Sequence, residues 1–142
     1  MNSSQPPLIL AIDDEPEVLQ QLADVLGKAG YQCRCCATAE EALELARAVN
    51  PDLVLSDISL GGESGLVLCE QIREDPALHH VPVMFLSGAQ IPDIIRRSHA
   101  AGGTYYLRKP FDPDVLVELI DKALWMPHLV ENRAAGRHVP AG

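Results

Sequence analysis

Leu8-Ile9-Leu10-Ala11-Ile12-Asp13-Asp14-Glu15 is an uninterrupted apolar run that stops on three acids. Apolarity without alternation marks a strand buried on both faces, as in a parallel sheet covered by helices on each side. The pattern returns twice. Leu53-Val54-Leu55-Ser56-Asp57 is again apolar and again ends on an aspartate, and Val81 to Leu86 ends on Ser87-Gly88. Two weaker strands, Tyr31 to Cys36 and Thr104 to Leu107, bring the count to five, the last running into Arg108-Lys109-Pro110.

Between the strands the period becomes helical. Val18, Leu22, Val25, Leu26 and Ala29 share one helix face, with Gly30 placed as the stop. Thr38-Ala39-Glu40-Glu41 has the form of a capping box ahead of the stripe Ala42, Leu45, Ala46 and Val49, which Asn50-Pro51 ends. Leu66, Cys69 and Ile72 support a third helix, closing near Asp75-Pro76. Ile91, Ile94 and Ile95 give Pro92 to Ala100 an apolar side, and Gly102-Gly103 breaks it. Asp112-Pro113 reads as N-cap plus proline at the first helical position, before Val115, Leu116, Leu119, Ile120 and Ala123. Gly61, Gly62 and Gly65 read as a flexible loop. Strand and helix thus alternate five times, which implies a parallel sheet sandwiched by helices with right-handed crossovers.

The 142 residues fit one domain, divided as a polar leader 1–7, a folded unit 8–126 and a tail or linker start 127–142. Lys plus Arg is 11 against 20 Asp plus Glu, a formal net charge of -9, which argues against direct nucleic-acid binding and against anionic membranes. No apolar run reaches the roughly 20 residues of a membrane helix, and no charged n-region precedes the first one. The expected compartment is therefore the cytoplasm, with Cys33, Cys35, Cys36 and Cys69 as free structural thiols. His79-His80, Arg96 and Arg97 read as solvated surface groups.

In such sheets ligands bind beyond the carboxyl ends of the strands. The residues there are Asp13, Asp14, Asp57, Ser87 and Lys109. Two carboxylates 4 Å apart repel by about 4 kcal/mol at an effective dielectric near 20, so the cluster calls for a cation or shifted pKa values. Mg²⁺ (or Mn²⁺) suits oxygen donors and keeps waters for a phosphate ligand. Lys109 adds a mobile charge for a phosphoryl oxygen and Ser87 a hydroxyl. Together they have the composition of a phosphoryl-transfer site.

Four segments carry a specific resemblance: Ile12-Asp13-Asp14-Glu15, Pro51 to Asp57, Ser87-Gly88-Ala89, and Tyr106-Leu107-Arg108-Lys109-Pro110-Phe111. Over about Leu8 to Leu124 the chain resembles the receiver domains of bacterial two-component response regulators. The resemblance implies a flavodoxin-like doubly wound (βα)5 fold with strand order 2-1-3-4-5. It implies that Asp57 accepts the phosphoryl group, that Asp14 and Asp57 bind the metal directly with Asp13 acting through water, and that the Ser59 backbone carbonyl completes the protein ligands. Ser87 and Lys109 would hold the phosphoryl group, Lys109-Pro110 would be cis, and Ser87 with Tyr106 would form the switch read on the face of the fourth helix, fifth strand and fifth helix. Implied partners are a sensor histidine kinase or a histidine phosphotransfer protein, a downstream effector protein or output domain, and, as an option, a second copy in a homodimer.

The chain departs from the family pattern after Asp57. Gly61 stands where the family often has proline, suggesting a looser loop, and Ser64 replaces an aspartate. Ser59 and Ala89 occupy positions that tune acyl phosphate lifetime in the family. The expected protein is a phosphorylatable switch, not a turnover enzyme beyond its own phosphorylation and dephosphorylation. Two rivals remain at this stage. A haloacid-dehalogenase-like phosphatase would want an acid at Ser59 and a cap insertion. A degenerate receiver would dock without phosphorylation.

Overall fold

The structure is a computed structural model and describes residues 5–88 and 90–125. In chain order its elements are β1 (Leu8–Ile12), α1 (Pro16–Lys28), β2 (Gln32–Cys36), α2 (Ala39–Val49), β3 (Leu53–Ser56), β4 (Ser59–Leu60), β5 (Glu63–Ser64), α3 (Gly65–Glu74), β6 (Val83–Ser87), α4 (Ile94–Ala100), β7 (Tyr105–Arg108) and α5 (Pro113–Trp125). β2, β1, β3, β6 and β7 lie side by side in that order, all parallel. Counting only the strands of this sheet, the order is 2-1-3-4-5, as the resemblance implies.

The continuous apolar runs fill both faces. Ile9, Ala11, Leu55, Met84 and Leu86 pack with Leu22 and Leu26 of α1 and Leu116 and Ile120 of α5. Leu10, Ile12, Val54, Val83 and Phe85 pack with Ala42 and Ala46 of α2 and Leu68, Cys69 and Ile72 of α3. The caps follow the chemistry of the termini. Thr38 Oγ1 accepts from Glu41 N at 3.1 Å, and Glu41 Oε1 reaches back to Ala37 N at 3.4 Å, one residue earlier than the ideal box. Gly30 (φ 92°) and Asn50 (φ 49°) end α1 and α2 in the left-handed region. Asp112 Oδ1 accepts from Asp114 N at 2.9 Å at the start of α5.

Three expectations need correction. The stretch after Asp57 is an antiparallel hairpin: Ser59 pairs with Ser64 and Leu60 with Glu63. Its two loop residues, Gly61 and Gly62, both have positive φ (57° and 98°), the condition for a type I′ turn. Gly65 is the buried first residue of α3 rather than part of a loop. The fourth sheet strand begins at Val83, because Pro82 has no N–H to give the ladder. Ile95 lies 66% exposed, so only Ile91 and Ile94 pack inward from the α4 region. Ala89 and the segment 126–142 lie outside the described residues.

Phe85 is fully buried on the interior strand β6. Its replacement by alanine should cost about 3–5 kcal/mol of unfolding free energy, measured as a lower urea midpoint at unchanged slope.

Candidate functional site

Backbone hydrogen bonds carry the sheet one residue past its strands and so aim the side chains at its carboxyl edge. Asp13 N donates to Cys36 O (3.2 Å), Asp57 N to Ile12 O (2.9 Å) and Lys109 N to Ser87 O (3.0 Å). β1 and β3 are neighbours, so Asp13, Asp14 and Asp57 arrive together. One carboxylate oxygen from each lies within 4.8 Å of the others. Lys109 reaches across from the edge strand β7. Its Nζ donates to Asp13 Oδ2 at 2.7 Å and to Asp57 Oδ2 at 2.9 Å, with Glu15 Oε1 at 3.4 Å.

The remaining oxygens are also held. Asp13 Oδ1 accepts from Glu15 N (2.9 Å) and Asp57 Oδ1 from Ser59 N (3.2 Å). Asp13 and Asp57 are buried, whereas Asp14 is exposed. Burial pushes the Asp13 carboxyl above its ordinary range despite the stabilising contact with Lys109. Burial alone would lower the Lys109 ammonium, but its bonds to Asp13 and Asp57 prevail and hold it above an ordinary lysine.

Of the residues expected at the site, the structure brings Asp13, Asp14, Asp57 and Lys109 together. Ser59 reaches the cluster by its backbone N–H. Ser87 is buried at the end of β6, and Tyr106 is half-buried on β7. Phe85 pairs with Tyr106 and Ser87 with Arg108, and paired residues of a parallel sheet face the same side. Phe85 and Tyr106 both pack on the α2–α3–α4 side, so Ser87, two residues beyond Phe85, shares that face with Tyr106. Tyr106 lines two cavities of about 200 and 470 Å³ beside α4. The Lys109–Pro110 peptide is cis.

Sequence reasoning missed Gly65. A Cβ there would lie 2.1 Å from the Asp57 carbonyl oxygen, so α3 can begin against the Asp57 backbone only with glycine. The signal was present as a glycine eight residues after the aspartate, but it reads equally as loop. Of the thiols, Cys69 is buried, Cys33 and Cys36 are half-buried, and Cys35 is exposed with its sulfur 3.8 Å from that of Cys33. Cys33 packs toward α1 and α5 and Cys36 toward α2 and α3. Burial pushes both up to about 12. Among the described residues, the three aspartates form the one group of acids, thiols or imidazoles close enough to share an ion. No helix among those residues is long and apolar enough to cross a membrane.

A family model described as "Response regulator receiver domain" matches residues 9–121. The chain belongs to the response regulator receiver domain family. The receiver is 31% identical over 117 residues to the DNA-binding transcriptional regulator NtrC of Escherichia coli, which covers 82% of this chain but 24% of NtrC. The chain thus spans about a quarter of that relative. Among solved structures, a response regulator from Chloroflexus aurantiacus superposes with a TM-score of 0.81 at 33% identity, covering 85% of this chain and 99% of that one. The chemotaxis response regulator CheY4 of Vibrio cholerae gives 0.78 at 27% identity, covering 84% and 100%. Receiver domains bind Mg²⁺ at an acidic pocket, and three hard carboxylate donors within 4.8 Å, one of them open to solvent, fit that ion.

The raised Asp13 carboxyl has a stability consequence. Its protonated form is favoured in the fold, so it stabilises the receiver below its ordinary value of 3.8 and loses that contribution as pH rises through the folded value. At pH 7 its buried charge opposes folding. Asp13→Asn keeps the acceptor and removes the charge. It should raise the melting temperature of the metal-free protein at pH 7 by roughly a few degrees, an advantage that excess Mg²⁺ erases. A lower metal-free melting temperature would contradict this account.

Proposed function

We propose that this receiver accepts a phosphoryl group on Asp57 from the phosphohistidine of a sensor histidine kinase or a histidine phosphotransfer protein. The observation that carries the reading is the Lys109 ammonium bound to Asp57 Oδ2 at 2.9 Å beside Asp13 and Asp14. One carboxylate is the nucleophile and its neighbours are the cation ligands. Asp57 attacks phosphorus, a P–O bond forms, and the P–N bond breaks with its electron pair going to the imidazole. Asp14 and Asp57 would hold Mg²⁺ directly, Asp13 through water, and the Ser59 carbonyl would complete the protein's share. Bound there, the ion would neutralise charge on the transferring oxygens. Lys109, freed from part of its bond to Asp57, holds one phosphoryl oxygen, and the Ser87 hydroxyl turns to another.

A phosphoryl group brings roughly two negative charges and three acceptor oxygens. Ser87 shares a sheet face with Tyr106, and hollows of about 200 and 470 Å³ lie beside the Tyr106 ring. The switched surface is then α4, β7 and α5, offered to an effector, an output domain or a second copy. The chain is a cytoplasmic switch whose chemistry is limited to its own phosphorylation and dephosphorylation. Ser59 gives no second acid after Asp57, which disfavours a phosphatase.

Two-dimensional NMR during titration with beryllofluoride and Mg²⁺ tests this. Shifts should appear around Asp57, Ser87 and Tyr106, and Asp57→Asn should abolish them. An unchanged wild-type spectrum, or an Asn variant that still gains an acid-labile phosphate from acetyl phosphate, sinks the proposal.

A further inference from the structure

The hairpin β4–β5 begins two residues after Asp57, and its placement is constrained from several directions. At its base, Ser59 N donates to Asp57 Oδ1 (3.2 Å), and Gly65 N donates to Ile58 O (2.7 Å). At its turn, a Cβ on Gly61 would sit 3.5 Å from Asp14 Oδ2, so the turn lies over that carboxylate. On its second strand, Ser64 Oγ accepts from Leu66 N (3.1 Å) and caps α3. One further contact leaves the neighbourhood. Glu63 Oε1 accepts from Ala39 N, in the first turn of α2, at 2.9 Å.

That contact is separate from the helix's own cap. Thr38 and Glu41 satisfy the amides of Glu41 and Ala37, while Ala39 N takes its acceptor from 24 residues away. A carboxylate at a helix N-terminus is favoured by the helix dipole as well as by the hydrogen bond. Glu63 is otherwise exposed, beside a groove between α2 and α3 of about 640 Å³. Leu60 is buried in the core and anchors β4, so what the bond to Ala39 N holds is the other strand, β5, and the turn of Gly61 and Gly62 between them. Isolated hairpins are marginal in water, and this one is minimal.

We infer that Glu63 is a positioning residue: by tying β5 to the first turn of α2, it fixes the hairpin that carries the Ser59 carbonyl and whose turn lies over Asp14. The inference rests on the receiver reading above, in which Ser59 supplies a metal ligand. Mg²⁺ demands near-ideal octahedral geometry at 2.0–2.1 Å, so small displacements of a backbone ligand weaken it. The sequence pattern alone makes Glu63 a solvated turn acid. The structure assigns it the role of the missing rigidity where Gly61 replaces the family's proline.

The test compares wild type with Glu63→Ala, Glu63→Gln and Thr38→Ala. Two quantities are read: Mg²⁺ affinity by calorimetry, and amide hydrogen exchange of residues 59–64 in metal-free protein. Glu63→Ala should weaken Mg²⁺ by about tenfold, the scale of lost outer-shell support, and speed exchange in the hairpin. Glu63→Gln keeps an acceptor for Ala39 N and should stay within about twofold of wild type on both, because the hydrogen bond, not the charge, does the positioning. Thr38→Ala removes the local cap and should lower the melting temperature while leaving Mg²⁺ affinity and hairpin exchange unchanged. The inference is overturned if Glu63→Ala matches wild type. It is also overturned if Glu63→Gln falls with Glu63→Ala, which assigns the effect to charge, or if Thr38→Ala weakens Mg²⁺ as much. A wild type that binds no Mg²⁺ defeats the receiver chemistry instead, and metal-free exchange still decides whether Glu63 ties the hairpin.

Discussion

One ammonium group holds the carboxyl edge of the sheet together. Lys109 leaves β7, crosses the end of β6, and binds Asp13 from β1 and Asp57 from β3. Each pair of carboxylates at such distances repels by about 4 kcal/mol at an effective dielectric near 20. The ammonium offsets part of this; burial, more than the neighbouring carboxylate, leaves Asp13 with a raised pKa. The arrangement requires parallel strands, so that the ends meet on one side, and the order β2-β1-β3-β6-β7, so that the acids are central and the lysine is one strand removed. A site of this charge suits a divalent cation, and its lysine is a donor suited to a phosphoryl oxygen.

The fold was legible because burial on both faces leaves a plain mark in sequence. Leu8–Ile12, Leu53–Ser56 and Val83–Ser87 are nearly all apolar, and the strands they form are nearly all buried. The edge strand Gln32–Cys36 is half exposed and reads weakly for that reason. The acids and the lysine were legible because their strand ends fix their meeting place without any knowledge of side-chain packing. The hairpin was not. Gly61 and Gly62 signal conformational freedom, and only the pairing of Ser59 with Ser64 turns that freedom into a defined turn. The fit of Gly65 against the Asp57 carbonyl and the bond from Ala39 N to Glu63 depend on where α2 and α3 lie. No local pattern encodes those placements. Ile95 failed as a core residue because α4 is too short for periodicity to fix its buried side.

The same geometry decides where a switch can be. On the α1–α5 side the sheet is closed by a polar clasp as well as by packing: Tyr31 O–H donates to Asp121 Oδ1, and Trp125 Nε1 donates to the Tyr31 oxygen at 3.3 Å. Burial with the Asp121 carboxylate pushes the Tyr31 hydroxyl up to about 12, so that bond stays protonated and intact across the physiological range. The opposite side beside α4 holds the two cavities that Tyr106 lines and the exposed Ile95. α4 is only seven residues long and starts from Asp93 at φ 57° with no side-chain cap bond. The α1–α5 layer has its own groove of about 440 Å³ beside Val25 and Pro113, so what distinguishes the two faces is the polar clasp on one and the short α4, without a side-chain cap bond, on the other. Ser87 and Tyr106 share the α4 face, so a switch built on them would act on that face.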